Sequence, residues 1–280
     1  MDAFLDRLIS LALDEDLGAA GDITTESLVP VDARGSAELL VKERLVLAGL
    51  DAFVQVFQRV DPDVRIELLS ADGQEVEAGS IVARLHGRLR ALLTAERTAL
   101  NIIQRTSGMA TMARQVMTAV HGTRLRILDT RKTAPGMRAL SKLAVKAGGA
   151  FNHRFGLFDG ILIKDNHIAA VGGSVREALR RARANAPQLV KIEIEVTNLD
   201  QLAEALEEGA DVVMLDNMDD ERIRRAVELT AGRIPLEVSG GITLERLPRL
   251  AKLGVDFVSM GALTHSARAM DLSLEILQTA

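Results

Sequence analysis

Apolar and polar positions follow two different rhythms along this chain, and the change comes near Leu89. Before it, Phe4, Leu5, Leu8, Ile9, Ala12 and Leu13 fall at helical spacing, so the chain opens on an amphipathic helix that runs out in Asp14-Glu15-Asp16. Gly21-Asp22-Ile23-Thr24-Thr25 reads as a turn-rich segment. Residues 36–42, 64–69 and 81–85 read as strands, and residues 49–60 as a helix with Leu50, Phe53, Val54 and Phe57 on one face. Asp72-Gly73 and Ala78-Gly79 mark turns. Short strands with few helices predict an α+β unit rather than alternating βαβ.

From Leu89 a long apolar helix face follows, carried by Leu92, Ala95, Ala99, Leu100 and Ile103. Ser107-Gly108 is expected to interrupt it, with a second helix over 109–120 closed by His121-Gly122. After Arg124 strands and helices alternate. Candidate strands are 126–129, 160–163, 190–196, 212–215, 235–238 and 257–260, and the helices between and after them are 136–147, 175–186, 199–208, 220–230 and 244–253. A run of βα units closes into a barrel or lays out an open parallel sheet. The strands are fewer than a closed barrel uses, so the expected fold class is α/β, with an N-terminal α/β domain (1–110) and an incomplete barrel of six to seven strands (111–268). Residues 269–280, with 272–277 as a short helix, are expected to return to the first domain.

The polar residues that close each strand change the picture from scaffold to site. They are Thr130-Arg131-Lys132, Lys164-Asp165-Asn166, Thr197, Asp216-Asn217, Ser239-Gly240-Gly241 and Gly261. In a parallel barrel these positions share one face, where the chemistry sits. Arg131, Lys132, His153, Arg154, Lys164 and His167 all stand at or near element ends, and cations gathered there predict a ligand with several negative charges. Glu193 and Glu195 alternate with Ile192, Ile194 and Val196, so both glutamates share a strand face. Glu195 and Asp216 would end neighbouring strands about 4.8 Å apart, close enough to share Mg²⁺ or to grip vicinal hydroxyls. An ion pair from Glu193 or Glu195 to Lys164 or Lys191 is the plainer alternative. Ser239-Gly240-Gly241 and Met260-Gly261-Ala262 each follow an apolar strand and precede a helix, a place where backbone N–H groups bind phosphate. Arg97 and Arg105 on the long helix carry little weight alone, and His86, His121 and His265 read as structural.

Composition narrows the function classes. With 280 residues, 48% hydrophobic and 26% charged, the chain is an ordinary globular protein of one large or two ordinary domains. Its net charge, 34 − 39 = −5, argues against nucleic-acid binding, as does the lack of Trp and Tyr for base stacking. The absence of cysteine excludes disulfides, thiolate metal sites and thiol nucleophiles. No apolar run reaches a membrane span, and Met1-Asp2-Ala3 does not open a signal peptide, so a cytoplasmic protein without membrane partners is expected.

The motifs taken together resemble the quinolinate phosphoribosyltransferase family. They are GDITT (21–25), ERTALN (96–101), SGMAT (107–111), DTRKTAPG (129–136), KAGGAFNHRFGLFD (146–159), LIKDNH (162–167), EIEV (193–196), MLDNM (214–218), VSGGI (238–242) and SMGALTHS (259–266). The resemblance implies an N-terminal α/β sandwich and an incomplete barrel. It implies a reaction of quinolinate with phosphoribosyl pyrophosphate, with Mg²⁺, giving nicotinate mononucleotide, pyrophosphate and CO₂. It implies a homodimer, with a hexamer as the larger alternative, whose active sites are shared between subunits. Arg131, His153, Arg154 and Lys164 would line the quinolinate pocket with Thr130, and Arg97 would come from the partner subunit. Lys132 would meet the substrates at the mouth, Glu195 and Asp216 the ribose and metal, and Ser239, Gly240, Gly241, Met260, Gly261 and Ala262 the 5′-phosphate. Lys132, Lys164, Glu195 and Asp216 would be the catalytic set. Three rivals stand beside this reading: a Schiff-base aldolase built on Lys164, a structural barrel with a solvated ring of charges, which the number of charges at strand ends opposes, and a non-catalytic or differently specific paralogue of the molybdenum-transport-associated type. The intact NHR and LIKDNH segments oppose the last.

Overall fold

The structure, a computed structural model, describes residues 2–277. Its contacts divide the chain into two units, one made of Met1–Arg114, Thr133–Gly149 and Leu263–Ala280, the other of Gln115–Lys132 and Ala150–Ala262. Among the described residues no helix is long and apolar enough to cross a membrane.

The first unit holds α1 (Asp2–Leu17), α2 (Ile23–Leu28), β1 (Arg34–Val41), β2 (Leu45–Val46), α3 (Leu50–Val60), β3 (Arg65–Leu68), β4 (Glu75–Val76), β5 (Ile81–Arg88), most of α4 (Leu89–Ala119), α5 (Arg138–Ala147) and β12 (Leu272–Leu277). An antiparallel sheet runs in the order β12-β1-β5-β3, beside a two-stranded β2–β4 ribbon. The core lies against this sheet: Leu39, Val41 and Leu85 from the strands meet Phe53 and Phe57 from α3 and Leu92 and Ile103 from α4. The two phenylalanine rings pack tilted, with centroids 5.0 Å apart.

Four expectations fail here, each for a physical reason. Residues 272–277 are not a helix. They form β12, antiparallel to β1 from Ser36↔Leu277 to Val41↔Leu272. Leu272 and Leu274 are buried while Ser273 and Glu275 are not, which is strand periodicity, and β1 supplies the ladder that a lone segment lacks. Residues 278–280 of that expected tail lie outside the described residues. Ser107-Gly108 does not break the long helix either. Gly108 lies inside α4 because a Cβ there would stand 1.7 Å from the Arg268 carbonyl oxygen. Beside it the Thr106 hydroxyl donates to the Ala48 carbonyl at 2.5 Å and the Ala48 N–H donates to Ser107 Oγ at 3.2 Å, so the pair marks close packing. Finally, α5 is not a barrel helix. Leu140 packs in the core of Leu5 and Ile9, and Ala144 joins Val46, Ala48 and Ala110, which places residues 133–149 in the first unit. The expected turn at Gly21–Thr25 in fact starts α2, where Asp22 caps the helix by accepting from the Thr25 N–H at 2.9 Å.

The second unit begins with β6 (Arg126–Leu128) and continues through β7 (Ile161–Ile163), α6 (Asp165–Ala170), α7 (Val175–Asn185), β8 (Ile192–Val196), α8 (Leu199–Glu207), β9 (Val212–Asp216), α9 (Asp220–Thr230), β10 (Leu236–Ser239), a 3-10 turn (Leu244–Arg246), α10 (Leu247–Leu253) and β11 (Phe257–Ser259), followed by the short α11 (Ala262–His265). Its six strands form one parallel sheet in the order β6-β11-β10-β9-β8-β7. This is the expected incomplete α/β barrel. The strands are short and nearly continuous in apolar residues, as parallel strands covered on both faces must be, and every residue of β8 is buried. Ser174, Asn198 and Asp219 cap α7, α8 and α9 by accepting from N–H groups three residues on, so each helix starts where its loop ends. At the β6 edge, Phe151 bridges to Leu128 in parallel.

Candidate active site

The register of the parallel sheet decides which side chains share a face. Glu193 pairs with Val212, Glu195 with Met214, Met214 with Glu237, and Asp216 with Ser239. Paired residues point to the same side, as do residues two apart on one strand. Glu193, Glu195, Asp216, Glu237 and Ser239 therefore stand on one face, with Glu195, Asp216 and Ser239 toward the carboxyl ends of their strands.

The Phe151–Arg154 segment is anchored at the end of β6. The Phe151 N–H donates to the Ile127 carbonyl at 2.8 Å, the Asp129 N–H to the Phe151 carbonyl at 3.0 Å, and the His153 N–H to Asp129 Oδ1 at 2.9 Å. Asp129 is fully buried. His153 Nδ1 accepts from the Arg154 N–H at 2.7 Å, and His153 Nε2 lies 3.0 Å from Glu193 Oε2 and 3.6 Å from Glu237 Oε2. Arg154 donates to the Gly160 carbonyl at 2.8 Å. Burial first, and then the neighbouring Arg131 cation, hold the Arg154 guanidinium below its ordinary pKa, against the opposing pull of Glu193 and Asp159.

Lys164 follows β7, and its Nζ donates to Glu195 Oε2 at 2.6 Å, the ammonium half exposed and the carboxylate nearly buried. Of the ion pairs weighed from the sequence, this one forms, while Glu193 turns to His153 instead. Asp216 is partly exposed and accepts from Asn217 Nδ2 at 2.8 Å. After β10, Gly240 has φ +93°, and a Cβ on it would meet Asn217 Oδ1 at 2.1 Å, so only glycine lets this loop lie against the end of β9. A cleft of about 530 Å³ opens there, lined by Asn217, Met218, Asp219, Asp220, Gly240 and Arg246. Arg246 is tied down by Asp220 Oδ1 and the Met218 carbonyl, both at 2.8 Å.

The sequence-predicted residues of this unit thus collect at strand ends. Arg131 and Lys132 are exposed after β6, with Thr130 Oγ1 accepting from the Lys132 N–H at 3.1 Å. The Met260 N–H, leading into Gly261 and Ala262, donates to the Leu128 carbonyl at 2.9 Å. Arg97 belongs to the first unit, exposed on α4. Two polar residues escaped the sequence reading. Asp129 was read only as the end of a strand, and Glu237 was passed over inside one. Glu237, between Leu236 and Val238, shares with Glu193 only its apolar strand neighbours and lacks the alternating second glutamate, and Asp129 is followed by Thr130.

Comparison with known proteins gives this arrangement a family. Residues 22–107 match the family model for the quinolinate phosphoribosyl transferase N-terminal domain, and residues 109–275 match that for its C-terminal domain. The chain belongs to the quinolinate phosphoribosyltransferase family. It is 44% identical over 97% of its length to a probable nicotinate-nucleotide pyrophosphorylase [carboxylating] of Bacillus subtilis, covering 93% of that protein. It is 39% identical, again over 97% of its length and 82% of the relative's, to quinolinate phosphoribosyltransferase [decarboxylating] 2, mitochondrial, of Nicotiana glauca. Among solved structures it resembles NadC from Streptococcus pyogenes, with a TM-score of 0.92 at 42% identity over 98% of this chain and 97% of that one. The nicotinate-nucleotide pyrophosphorylase of Ehrlichia chaffeensis gives a TM-score of 0.94 at 38% identity, covering 99% and 100%.

Proposed function

We infer that this chain transfers the phosphoribosyl group of phosphoribosyl pyrophosphate to quinolinate and releases CO₂, forming nicotinate mononucleotide and pyrophosphate in NAD biosynthesis. The observation that carries this reading is the gathering of Arg131, Lys132, His153, Arg154 and Lys164 at the strand ends of one unit, where Lys164 meets Glu195 at 2.6 Å. A planar dianion matches the guanidinium forks in such a group. In this reading Thr130, Arg131, His153, Arg154 and Lys164 surround quinolinate, and Arg97 of a second copy in a homodimer completes the ring of cations. Ser239–Gly241 and Met260–Ala262 hold the 5′-phosphate by backbone N–H groups.

The ring nitrogen attacks the anomeric carbon as the bond from that carbon to the pyrophosphate oxygen breaks. Glu195 and Asp216 offset positive charge developing on the ribose, and Lys132 offsets negative charge on the leaving group. The electron pair of the breaking ring–carboxylate bond then passes toward the pyridinium nitrogen, CO₂ departs, and the ring carbon takes up a proton. No protein nucleophile is needed. Glu195 and Asp216 end adjacent strands on one face and offer hard oxygen donors, which fits Mg²⁺ held together with substrate phosphates. Bound there, Mg²⁺ would neutralise charge on the pyrophosphate.

The test is direct. The protein is incubated with phosphoribosyl pyrophosphate, Mg²⁺ and either quinolinate or nicotinate, and nicotinate mononucleotide and CO₂ are measured. Product from quinolinate alone supports the reading, whereas turnover of nicotinate, or no product from either, overturns it.

A further inference from the structure

Behind the substrate-facing cations lies a second layer of polar groups to which neither the family resemblance nor the reaction assigns a part. Glu193 and Glu237 are buried, 8% and 1% exposed. Oε1 of each is buried without a hydrogen-bond partner. Their other oxygens meet one nitrogen, His153 Nε2, at 3.0 and 3.6 Å. An isolated pair of buried carboxylates is costly, so the arrangement calls for a reason.

The tautomer of His153 supplies it. Its Nδ1 accepts the Arg154 N–H at 2.7 Å and so carries no proton. A neutral imidazole then bears its proton on Nε2, and that N–H points at Glu193. The three ligand-type atoms lie within 4.8 Å of one another, a spacing that could bracket a cation, but an Nε2–H directed into the cluster repels a cation. The neutral ring cannot balance two buried charges, so the enclosed Glu237 carboxyl keeps its proton. Burial first, then the Glu193 charge, push Glu237 up to about 8, which makes Glu237 the carboxyl that holds it. The chain of hydrogen bonds thus has one direction: Glu237 donates to Glu193, Glu193 accepts from His153, and His153 accepts from Arg154.

We propose that Glu193 and Glu237 are positioning residues of this reaction: they clamp His153 at Nε2, and through His153 Nδ1 they fix the Arg154 backbone, setting where its guanidinium meets a carboxylate of the substrate. This deepens the quinolinate reading and rests on it. It also changes the part played by His153. With both ring nitrogens engaged inside the protein, His153 offers quinolinate its ring face and C–H edge, not a hydrogen bond.

The experiment compares Glu237→Gln, whose amide N–H can still donate to Glu193, with Glu237→Leu, which fills similar volume without polar atoms and so need not unfold the barrel. Steady-state kinetics with each substrate varied in turn are expected to show KM for quinolinate raised about tenfold or more in Glu237→Leu. KM for phosphoribosyl pyrophosphate should stay within about twofold, and Glu237→Gln should stay within about threefold of wild type for both. A merely structural role would shift melting temperature in both variants without this split. The proposal is overturned by an unchanged quinolinate KM in Glu237→Leu, by equal rises in both KM values, or by Glu237→Gln as impaired as Glu237→Leu. A second readout needs no turnover. Imidazole ¹⁵N NMR of wild type, with His153 assigned through His153→Asn, should show an unprotonated Nδ1 and a protonated Nε2 at neutral pH, preserved in Glu237→Gln. An imidazolium or an Nδ1–H tautomer sinks the proposal even if Glu237→Leu does not fold. Inactive wild type would remove the quinolinate reading, and the reaction role with it, while the tautomer still decides whether the clamp exists.

Discussion

The two units treat buried charge in opposite ways. In the first, Asp61 is 1% exposed, but its carboxylate accepts from Arg88 Nε at 2.8 Å and from the Asp63 N–H at 3.0 Å. In the second, Glu193 and Glu237 keep oxygens without protein partners, and Arg154 and Arg131 press like charge on like. The first pattern is what a fold does to be stable. The second spends stability on groups poised for a ligand, as sites that handle multiply charged substrates must. The contrast predicts that mutations in the two units fail in different measurable quantities.

The largest effects should separate cleanly. Lys132→Ala, exposed after β6, should lower turnover by about a thousandfold, a loss typical of removing one charge-stabilising group, while the melting temperature barely moves. Turnover within a few-fold of wild type would take Lys132 out of the mechanism. Phe53→Ala should do the reverse. Its ring is fully buried against Phe57, so truncation should cost about 3–5 kcal/mol in chemical denaturation, with turnover per folded molecule kept. Lost turnover in fully folded Phe53→Ala protein would mean that the division of labour between the units is wrong. Subunit exchange extends the comparison. Arg97→Ala and Lys164→Ala proteins, each inactive alone, should regain part of the wild-type activity when mixed, and no recovery after verified exchange would count against a shared site.

Much of the second unit is legible because parallel strands carry their own signature. Ile192–Val196 reads as a strand from composition alone, and the motif residues fall at strand ends because that is where a βα unit turns. What was not legible depends on partners distant in sequence. Leu-Ser-Leu-Glu-Ile-Leu suits helix or strand, and only β1 decides between them. Gly108 looks like a helix breaker until the Arg268 carbonyl is seen against it. Helix 138–147 has barrel rhythm, yet its apolar face belongs to the first unit's core. Glu237 went unnoticed because one acid in a buried strand becomes meaningful only when His153 and Glu193 are brought to it.

A smaller effect tests the phosphate loop. Gly240→Ala puts a Cβ 2.1 Å from Asn217 Oδ1 at a φ of +93°, so the loop after β10 must shift. If its N–H groups hold the 5′-phosphate, KM for phosphoribosyl pyrophosphate should rise roughly ten- to a hundredfold, while KM for quinolinate changes little. A matching rise in both would point to general disruption of the unit instead.

The smallest effect returns to the first unit, where charge serves the fold. The Arg88 hydrogen bond, reinforced by the Asp63 N–H and opposed by burial, lowers Asp61 to about 2, below the about 3.9 of an unfolded aspartate. The sign follows from linkage: the contribution is fully present above about pH 4 and is lost as pH falls through about 2. Arg88 is half exposed, and solvent screening reduces the contribution to about 1 kcal/mol. Asp61→Asn should therefore be less stable than wild type by about that amount near neutral pH, with about half of the gap gone by pH 3. Urea denaturation of both proteins across this range measures it. A gap that ignores pH would show that the carboxylate's shape, and not its charge, is what the first unit uses.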